Sequence, residues 1–305
     1  MTSGEGIAPY NAPMPWEQEL AARVRRDVEL KDFITIRVGG RARCFVEPKT
    51  ADEVGGLLRA LKTEGRPYRV LGGGSNTLPP DGVIDEVVVH PGKMDGFEVC
   101  GDRVHVGAGL PTQRLVNECS AAGLGGVHVL AGVPGQVGGA VAMNAGTHYG
   151  EICESVERVS VRLADGSAAE LSPDDLAFDY RHARLPEGAV ICGATLRLRP
   201  VEDVRKLKRT VGGYLKEKNK AQPTSTWNFG CMFKNPLDES AGRLLDAAGL
   251  KGLVRGGARI SPIHANFVEN VDGAASADVL WLLEEAAKRV SADSGVQLER
   301  EVRTW

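Results

Sequence analysis

The segment Gly132-Val133-Pro134-Gly135-Gln136-Val137-Gly138-Gly139 carries four glycines in eight residues, and the earlier segment Gly72-Gly73-Gly74-Ser75-Asn76 carries three in five. Because glycine lacks a Cβ, such loops let backbone N–H groups surround an anion closely. Two of them in one chain suit the pyrophosphate of a dinucleotide. Taken alone, each loop is equally consistent with a tight turn or close packing.

Neither loop matches the common nucleotide-binding patterns. The chain has no G-x-x-x-x-G-K-[ST] segment, and no G-x-G-x-x-G segment opens a helix in a first βαβ unit. A P-loop protein and a Rossmann-type NAD domain are therefore disfavoured.

The residues before the first loop predict a strand–helix–strand unit. Residues 43–47 alternate as a strand, and a helix follows that Thr50 and Glu53 are expected to cap. Apolar residues at helical spacing continue until Gly65, which ends the helix. A strand over residues 68–71 then leads directly into the first glycine loop.

Later segments predict strands in the middle third of the chain and helices in the last third. A hairpin is expected at Asp165-Gly166, and the strand that contains Ala194 is expected to end at Pro200. Helical stripes dominate after Pro200, with strand-like residues at 231–233 and 265–268. We therefore place a domain boundary near Pro200.

Length, charge and cysteine content restrict the class of protein. The chain has 305 residues, of which 42% are apolar and 25% charged, and a net charge of −3. This balance is typical of a soluble globular protein and argues against a dedicated nucleic-acid-binding protein. No apolar run approaches the roughly 18 residues of a membrane span, and residues 1–17 show no secretory signal. The six cysteines form no C-x-x-C pair, so we expect a reduced, cytoplasmic setting without a zinc site or disulfide framework.

Several motifs, in order along the chain, resemble those of the UDP-N-acetylenolpyruvoylglucosamine reductase family. The resemblance extends from about residue 31 to the last residue, and such an ordered set is more specific than any one motif. The motifs are Thr35-Ile36-Arg37-Val38-Gly39-Gly40, the two glycine loops, Tyr180-Arg181, Gly230-Cys231-Met232-Phe233-Lys234-Asn235-Pro236, residues 241–252, His264-Ala265-Asn266-Phe267 and Leu298-Glu299-Arg300-Glu301-Val302.

The resemblance implies an α+β flavoenzyme with two domains. FAD is expected to bind without a covalent link in a two-part domain of the vanillyl-alcohol-oxidase type, and a C-terminal α/β domain closes over the substrate. We predict an N-terminal arm over residues 1–17, a cofactor domain over 18–200 with parts of about 18–80 and 81–200, and a substrate domain over 201–305. No insertion with a substrate-capping tyrosine is visible, so the chain resembles the shorter subtype of the family.

The implied reaction reduces UDP-N-acetylglucosamine enolpyruvate to UDP-N-acetylmuramate in bacterial peptidoglycan synthesis. NADPH reduces the flavin and leaves, and the enolpyruvyl substrate enters the same space. Flavin N5 gives a hydride to C3, negative charge develops on the substrate carboxylate, and C2 then receives a proton. No metal is required because the flavin carries the electrons. The expected partners are these two small molecules, with no nucleic acid and no membrane, and the chain is expected to be a monomer.

Two charged residues are predicted to handle the substrate carboxylate. Arg181 is the expected anion stabiliser, since a guanidinium stays charged and holds a carboxylate with two N–H groups. In the family, the residue that matches Glu301 helps to polarise the carboxylate, and like-charge repulsion should raise its pKa. From residue type alone, Arg181 could be a surface arginine like its neighbour Arg184. Glu299 would share a strand face with Glu301, and only the motif chooses Glu301.

Cys231 stands where the family often has the serine that donates a proton to C2. A free thiol with a pKa of about 8.5 is mostly protonated near neutral pH, and it is a stronger acid than a serine hydroxyl. The substitution therefore preserves the donor role. The alternative is a small buried cysteine. If the open protein exposes Cys231, alkylation or oxidation should inhibit the enzyme.

The other predicted contacts fall into two sets. The cofactor set comprises Arg37, Gly39, Gly72, Gly73, Gly74, Ser75, Asn76, Gly132, Gly135, Gly138, Gly139 and Asn144. The substrate set comprises Tyr180, Lys218, Lys220, Lys234, Asn235 and His264. One of Lys218 and Lys220 is expected to contact the substrate diphosphate, although lysine clusters are usually solvated surfaces.

Two segments depart from the family pattern. The segment Thr77-Leu78-Pro79-Pro80-Asp81-Gly82 contains two prolines where the family commonly continues with apolar residues. The family pattern therefore does not predict the shape of this loop. Trp227 lies in the segment before the proton-donor candidate Cys231, where the family usually has small residues. It either packs near the flavin or fills the domain interface.

Two other functions share part of these features. An alcohol oxidase of the same cofactor fold would keep the glycine loops but would not need Arg181, Cys231 and Glu301 together. Such oxidases frequently link flavin covalently to histidine or cysteine. A non-enzymatic flavin- or nucleotide-binding regulator would keep the loops without turnover, and the downstream motifs argue against it.

Overall fold

The structure is a computed structural model that describes residues 15–20 and 23–305. Residues 1–14 of the expected N-terminal arm lie outside the described residues. The rest of that arm belongs to a short helix, α1 (Pro15–Glu19), in which Trp16 and Glu17 are buried. The Glu17 carboxylate accepts a hydrogen bond from Arg26. The last residues of the predicted arm are therefore packed on the fold.

The first part of the chain forms a four-stranded sheet. Its elements are β1 (Val24–Glu29), β2 (Arg41–Val46), α2 (Ala51–Thr63), β3 (Tyr68–Val70), β4 (Thr77–Leu78) and β5 (Val83–Val89). All of these strands except β4 join in the order β1-β2-β5-β3. Because β5 lies between β2 and β3, this sheet extends past residue 80, where the sequence placed the limit of the first subdomain.

Helix α2 has the ends that its sequence predicts. The Thr50 side chain accepts a hydrogen bond from the Glu53 N–H at 3.1 Å. The Glu53 carboxylate accepts from the Lys49 N–H at 2.7 Å, one residue before the position of a standard capping box. After the helix, Gly65 adopts a φ of 62°, a left-handed conformation that favours glycine.

The middle of the chain forms an antiparallel sheet of five strands in the order β12-β11-β13-β7-β6. The elements of this region are β6 (Phe97–Cys100), β7 (Arg103–Gly107), α3 (Thr112–Ala121), β8 (Leu124–Gly125), α4 (Val137–Ala142), β9 (Gly146–Thr147), β10 (Gly150–Glu151), β11 (Val156–Arg162), β12 (Ala168–Leu171), α5 (Pro173–Leu176), β13 (Val190–Arg197) and β14 (Arg199–Pro200). The expected turn at Asp165-Gly166 connects β11 to β12. The strand that was expected to run from Ala194 to Pro200 is divided, because β13 ends at Arg197 and a separate strand, β14, ends at Pro200, which pairs with Leu124.

The last part of the chain adds a four-stranded sheet in the order β15-β18-β17-β16. The elements of this region are α6 (Val204–Ala221), β15 (Trp227–Cys231), α7 (Ala241–Ala247), β16 (Val254–Arg255), β17 (Ala258–Ile260), β18 (Phe267–Asn270), α8 (Ser276–Ser294) and β19 (Arg303–Thr304). Strand β19 pairs in parallel with β4, directly after the first glycine loop. Within residues 15–20 and 23–305, no helix combines the length and the apolar character that a membrane crossing requires.

Residues from both ends of the chain share one hydrophobic core. Phe45 and Leu71 from the first region pack in the same cluster as Phe233 and Leu283 from the last region. Helix α6 instead packs through Val211 against the core of the middle region. It lies after the boundary that we place near Pro200 but contacts helix α3 of the preceding region. The domain limits stay predictions.

The strand expected at residues 231–233 is shifted in the structure, because β15 ends at Cys231. The two apolar residues that follow are held by other contacts. The Met232 N–H donates to the Asn266 carbonyl at 2.8 Å. The Asn266 side chain accepts from the Phe233 N–H at 3.0 Å and donates to its carbonyl at 2.8 Å, so it replaces a strand partner.

The proline-containing segment 77–82 contacts both the first and the last region of the chain. The Asp81 carboxylate accepts from the N–H groups of Ser276 and Ala277 at 2.9 and 3.0 Å, and it therefore caps helix α8. Pro79 packs against Gly39, where an added Cβ would lie 2.5 Å from Pro79 Cγ. Gly39 is thus required by this close approach and by its φ of 113°.

Candidate active site

A cavity of about 940 Å³ lies where the first glycine loop, helix α4, strand β15 and the C-terminal segment meet. A second cavity of about 420 Å³ adjoins it, and the two share six lining residues: Gly73, Pro134, Lys218, Gln222, Gly230 and Phe267. The larger cavity is within the size range of sites for cofactors and small substrates.

The first glycine loop presents a row of free donors to this cavity. Residues 72–76 all line it, and among the described residues no acceptor contacts any of their backbone N–H groups. An added Cβ at Gly73 would lie 2.7 Å from Gly135 Cα, so the two glycine loops are in close contact. Consecutive free N–H groups of this kind form an anion-binding concavity.

The second glycine segment is partly helical, which the sequence pattern did not indicate. Gly138 and Gly139 lie in the first turn of α4 and both line the larger cavity. The Gly138 N–H donates to the Ala108 carbonyl at 2.8 Å and is not available to a ligand. An added Cβ at Gly139 would meet nothing within 4 Å, so this face of the helix is open.

Five members of the predicted cofactor set lie outside the larger cavity. Arg37 and Gly132 line the second cavity, and Gly39, Gly135 and Asn144 line neither. For these five, the structure gives no direct contact with the larger cavity.

Trp227 fills no interface, since 55% of it is exposed. Its ring lies under the Arg37 guanidinium at 4.8 Å, which is a cation–π distance. Both residues line the second cavity.

Arg181 projects from a tight turn that Asp179 and His182 close through two backbone hydrogen bonds of 3.0 Å. Its φ of 55° is left-handed, which costs a non-glycine residue about 1–2 kcal/mol. Its Nε donates to Glu301 Oε1 at 3.1 Å, and its Nη2 donates to the Gly146 carbonyl at 3.0 Å. Strain of this kind is typical of a side chain held in place for function.

Glu301 lies deep beside Arg181. Its N–H donates to the Met232 carbonyl at 2.9 Å, and its carbonyl accepts from Asn76 Nδ2 at 3.0 Å. Burial raises the pKa of its carboxyl, although Arg181 and Lys234 act in the opposite direction. Burial is thus the cause of the raised pKa of Glu301 in this structure, and the repulsion expected from a substrate carboxylate stays a prediction.

Glu299 and Glu301 do not occupy a common strand. Between them, Arg300 forms an isolated bridge with Phe233. The Glu299 side chain is 72% exposed and pairs with Lys234 at 2.6 Å, whereas the Glu301 side chain is 16% exposed. The structure therefore separates two carboxylates that the sequence could not distinguish.

Cys231 lines the larger cavity at the end of β15. Burial, with a smaller contribution from Glu301, raises the pKa of its thiol to about 12, while Arg181 and Lys218 lower it. The thiol is therefore a much weaker acid than the free cysteine assumed from sequence, and it stays protonated throughout the neutral range.

This raised pKa predicts slow alkylation of Cys231, because the thiolate is the reactive form. With iodoacetamide at pH 8, exposed Cys100 should be modified well before Cys231, as measured by peptide mass spectrometry. Activity should persist while Cys100 reacts. Equal labelling rates at the two cysteines would mean that the cavity opens widely in solution and would contradict this prediction.

The predicted substrate residues divide by location. Tyr180, Asn235 and His264 line the larger cavity. Lys218 lines both cavities; its Nζ donates to the Gly132 carbonyl at 2.6 Å, and burial lowers its pKa. Lys220 is exposed and lines neither cavity, and Lys234 is paired with Glu299. The diphosphate contact is thus better placed on Lys218.

Known proteins match both parts of the chain. Residues 42–172 match the FAD binding domain family, and residues 222–305 match the C-terminal domain of UDP-N-acetylenolpyruvoylglucosamine reductase. A relative of that name from Anaeromyxobacter sp. (strain Fw109-5) is 43% identical over 293 residues, which cover 94% of this chain and 92% of the relative. A Geobacter metallireducens relative of the same name is 40% identical over 286 residues, with 93% and 95% covered.

A solved structure agrees with these matches. The crystal structure of UDP-N-acetylenolpyruvylglucosamine reductase from Thermus caldophilus superposes with a TM-score of 0.81 at 39% identity. The superposition covers 93% of this chain and 99% of that chain.

The fold, the anion-binding loop and the matched cofactor domain define an FAD-dependent oxidoreductase. The expected α+β architecture, in which a cofactor domain precedes a C-terminal domain, is confirmed. The chain belongs to the UDP-N-acetylenolpyruvoylglucosamine reductase family.

A Gly73→Ala substitution should weaken FAD binding at least tenfold, because the new methyl group would collide with Gly135 Cα. Flavin titration followed by fluorescence measures the change. Gly212→Ala is the matched control, since a Cβ there meets nothing and alanine should stabilise helix α6 by up to about 1 kcal/mol. Unchanged flavin affinity in Gly73→Ala would remove this loop from the cofactor site.

Proposed function

We propose that this chain reduces UDP-N-acetylglucosamine enolpyruvate to UDP-N-acetylmuramate with NADPH, for peptidoglycan precursor synthesis. The observation that carries the proposal is the meeting of Arg181, Cys231 and Glu301 at one cavity lined by the first glycine loop. Arg181 and Glu301 are 120 residues apart in sequence and directly hydrogen-bonded. We also propose that the chain acts as a monomer in the bacterial cytoplasm.

The residues of the larger cavity fit FAD. The free N–H groups of residues 72–76 suit its pyrophosphate, and the open face at Gly139 accepts close approach of a planar ring. These residues would hold the cofactor. When bound, FAD supplies hydride-transfer chemistry.

Arg181 is positioned to hold the substrate carboxylate. Its Nε and Nη2 are already bonded, and its Nη1 lies 3.8 Å from Glu151, beyond hydrogen-bond distance. Nη1 can therefore donate to a bound carboxylate, and the fixed positive charge favours the enolate-like charge that develops there.

Glu301 would act in its protonated form. Arg181 already lies between the carboxylates of Glu301 and Glu151, and a substrate carboxylate adds a third negative charge nearby. Since burial raises the pKa of Glu301, proton uptake at this residue is the least costly response. A protonated Glu301 can then donate a hydrogen bond to the substrate carboxylate.

Cys231 would supply the proton that C2 requires. Its thiol is fully protonated near neutral pH. As the proton leaves, the positive charges of Arg181 and Lys218 favour the thiolate, since both lower its pKa. Lys218 would also contact the diphosphate, because a lysine has three donors and the structure shows one of them bonded to protein.

An anaerobic flavin titration tests the proposal. The purified protein is reduced with NADPH, UDP-N-acetylglucosamine enolpyruvate is added, and the visible spectrum is followed. Return of the oxidised spectrum without oxygen is the expected result. If the enolpyruvate does not reoxidise the reduced flavin but air does, the protein is an oxidase. If NADPH does not reduce the flavin, a binding protein without turnover is favoured.

A further inference from the structure

Asn144 is a buried amide that the proposed chemistry does not use. It follows helix α4, is 1% exposed and adopts a left-handed φ of 40°. It lines neither cavity. A buried polar side chain in a strained conformation requires a specific set of partners.

Those partners lie on two neighbouring parts of the chain, residues 151–153 and Asp179. Asn144 Nδ2 donates to Glu151 Oε2 at 2.7 Å and to the Asp179 carbonyl at 3.1 Å. Its Oδ1 accepts from the Cys153 N–H at 3.3 Å. Both ends of the amide are thus occupied, and one side chain joins α4, the region after β10 and the turn that begins at Asp179.

All three parts lead to Arg181. Asp179 opens the tight turn in which Arg181 is left-handed. Glu151 lies 3.8 Å from Arg181 Nη1, and Gly146, which accepts from Nη2 at 3.0 Å, pairs with Glu151 in the β9–β10 hairpin. Apart from Glu301, the groups that orient the Arg181 guanidinium therefore come from segments that the hydrogen bonds of Asn144 connect.

We propose that Asn144 is a positioning residue for Arg181, which sets the guanidinium against the substrate carboxylate without touching cofactor or substrate. This role rests on the proposed reductase function and replaces the cofactor contact that we expected for Asn144. A misplacement of about 1 Å at a reacting centre can cost on the order of 10²-fold in rate.

The hydrogen bonds of Asn144 require an amide and distinguish it from a carboxylate. Asn144→Asp puts a second carboxyl group at the 2.7 Å position beside Glu151, where two ionised carboxylates repel. When the two carboxyl groups share one proton, the hydrogen bond between residue 144 and Glu151 is kept. When that proton is lost, the two carboxylates repel and this hydrogen bond breaks. The other charged or titratable groups that face this pair are Arg181, Glu154, which accepts from the Glu151 N–H at 2.9 Å, and the Cys153 thiol, 3.9 Å from Glu151.

The first test compares Asn144→Ala and Asn144→Asp with the control Asn117→Asp, an exposed amide on helix α3. Flavin affinity, NADPH reduction and anaerobic reoxidation by the enolpyruvate are measured separately. Asn144→Ala should lose about 10²-fold in reoxidation alone, at every pH. Asn144→Asp should approach wild type at low pH and fall as the pH rises, over a range where the control follows wild type.

Equal losses in flavin affinity and NADPH reduction would instead make Asn144 a cofactor contact or a general fold residue. Unchanged reoxidation in Asn144→Ala would overturn the positioning role directly.

A second readout does not depend on turnover. The side-chain ¹⁵Nε signal of Arg181 in the oxidised protein reports the surroundings of its guanidinium. It should shift in Asn144→Ala and stay unchanged in Asn117→Asp. If wild type does not reduce the enolpyruvate, the proposed function fails, while this signal still decides whether Asn144 orients Arg181.

Discussion

Replacement of Cys231 by alanine is expected to slow anaerobic reoxidation by the enolpyruvyl substrate by about 10²- to 10⁴-fold, the usual contribution of a positioned proton donor. Reduction by NADPH should keep its rate, because that step takes no proton from Cys231. Stopped-flow absorbance measures the two half-reactions separately. Burial of Cys231 in the larger cavity is the physical reason for a neutral donor at this position.

Two variants sharpen this expectation. Cys231→Ser should recover a large part of the loss, since a hydroxyl is also a neutral donor, whereas Cys100→Ala, at an exposed site, should behave as wild type. Full-speed reoxidation by Cys231→Ala would show that solvent or another residue delivers the proton.

The second large effect is expected at Arg181. Arg181→Ala should lower the enolpyruvate half-reaction by about 10²- to 10³-fold, as for the loss of one donor to a developing negative charge. Arg181→Lys should recover little, because an ammonium lacks the planar fork that bonds Glu301 and Gly146 together. Arg184→Ala is the matched control, since Arg184 is exposed and bonds the Asp175 carbonyl at 3.4 Å.

The same variant changes the titration of Glu301. Arg181 lowers the pKa of this carboxyl while burial raises it, so Arg181→Ala should raise the pKa further. The carboxyl then stays protonated to higher pH, which infrared difference spectroscopy detects as a persistent C=O band. Loss of the band at lower pH than in wild type would contradict this assignment of causes.

The sequence predicts the helix ends and turns that interactions between neighbouring residues determine. Thr50 and Gly65 begin and end α2 because a cap and a left-handed glycine act within a few residues. The hairpin at Asp165-Gly166 follows from turn chemistry in the same way. By contrast, Gly138 and Gly139 were expected in a loop, because glycine disfavours a helix, yet they lie in the first turn of α4 beside the cavity.

The parts of the site that the sequence did not reveal depend on distant contacts. The roles of Asn144 and Asn266 come from bonds to backbone groups 9 to 35 residues away, which no spacing rule encodes. The separation of Glu299 from Glu301 likewise depends on Lys234 and Arg181, on other parts of the chain. The family motifs name such residues without giving their partners.

The pairing of β19 with β4 has a consequence for folding during synthesis on the ribosome. Asn76 bonds the Glu301 carbonyl across 225 residues, and strand β4 waits equally long for its partner. At about 5–20 residues per second of translation, that delay is roughly 11–45 s. Until the last region is synthesised, Leu71 and Leu78 lack the core residues that this region contributes. The nascent chain therefore exposes apolar surface of its first region until the C-terminal region is complete.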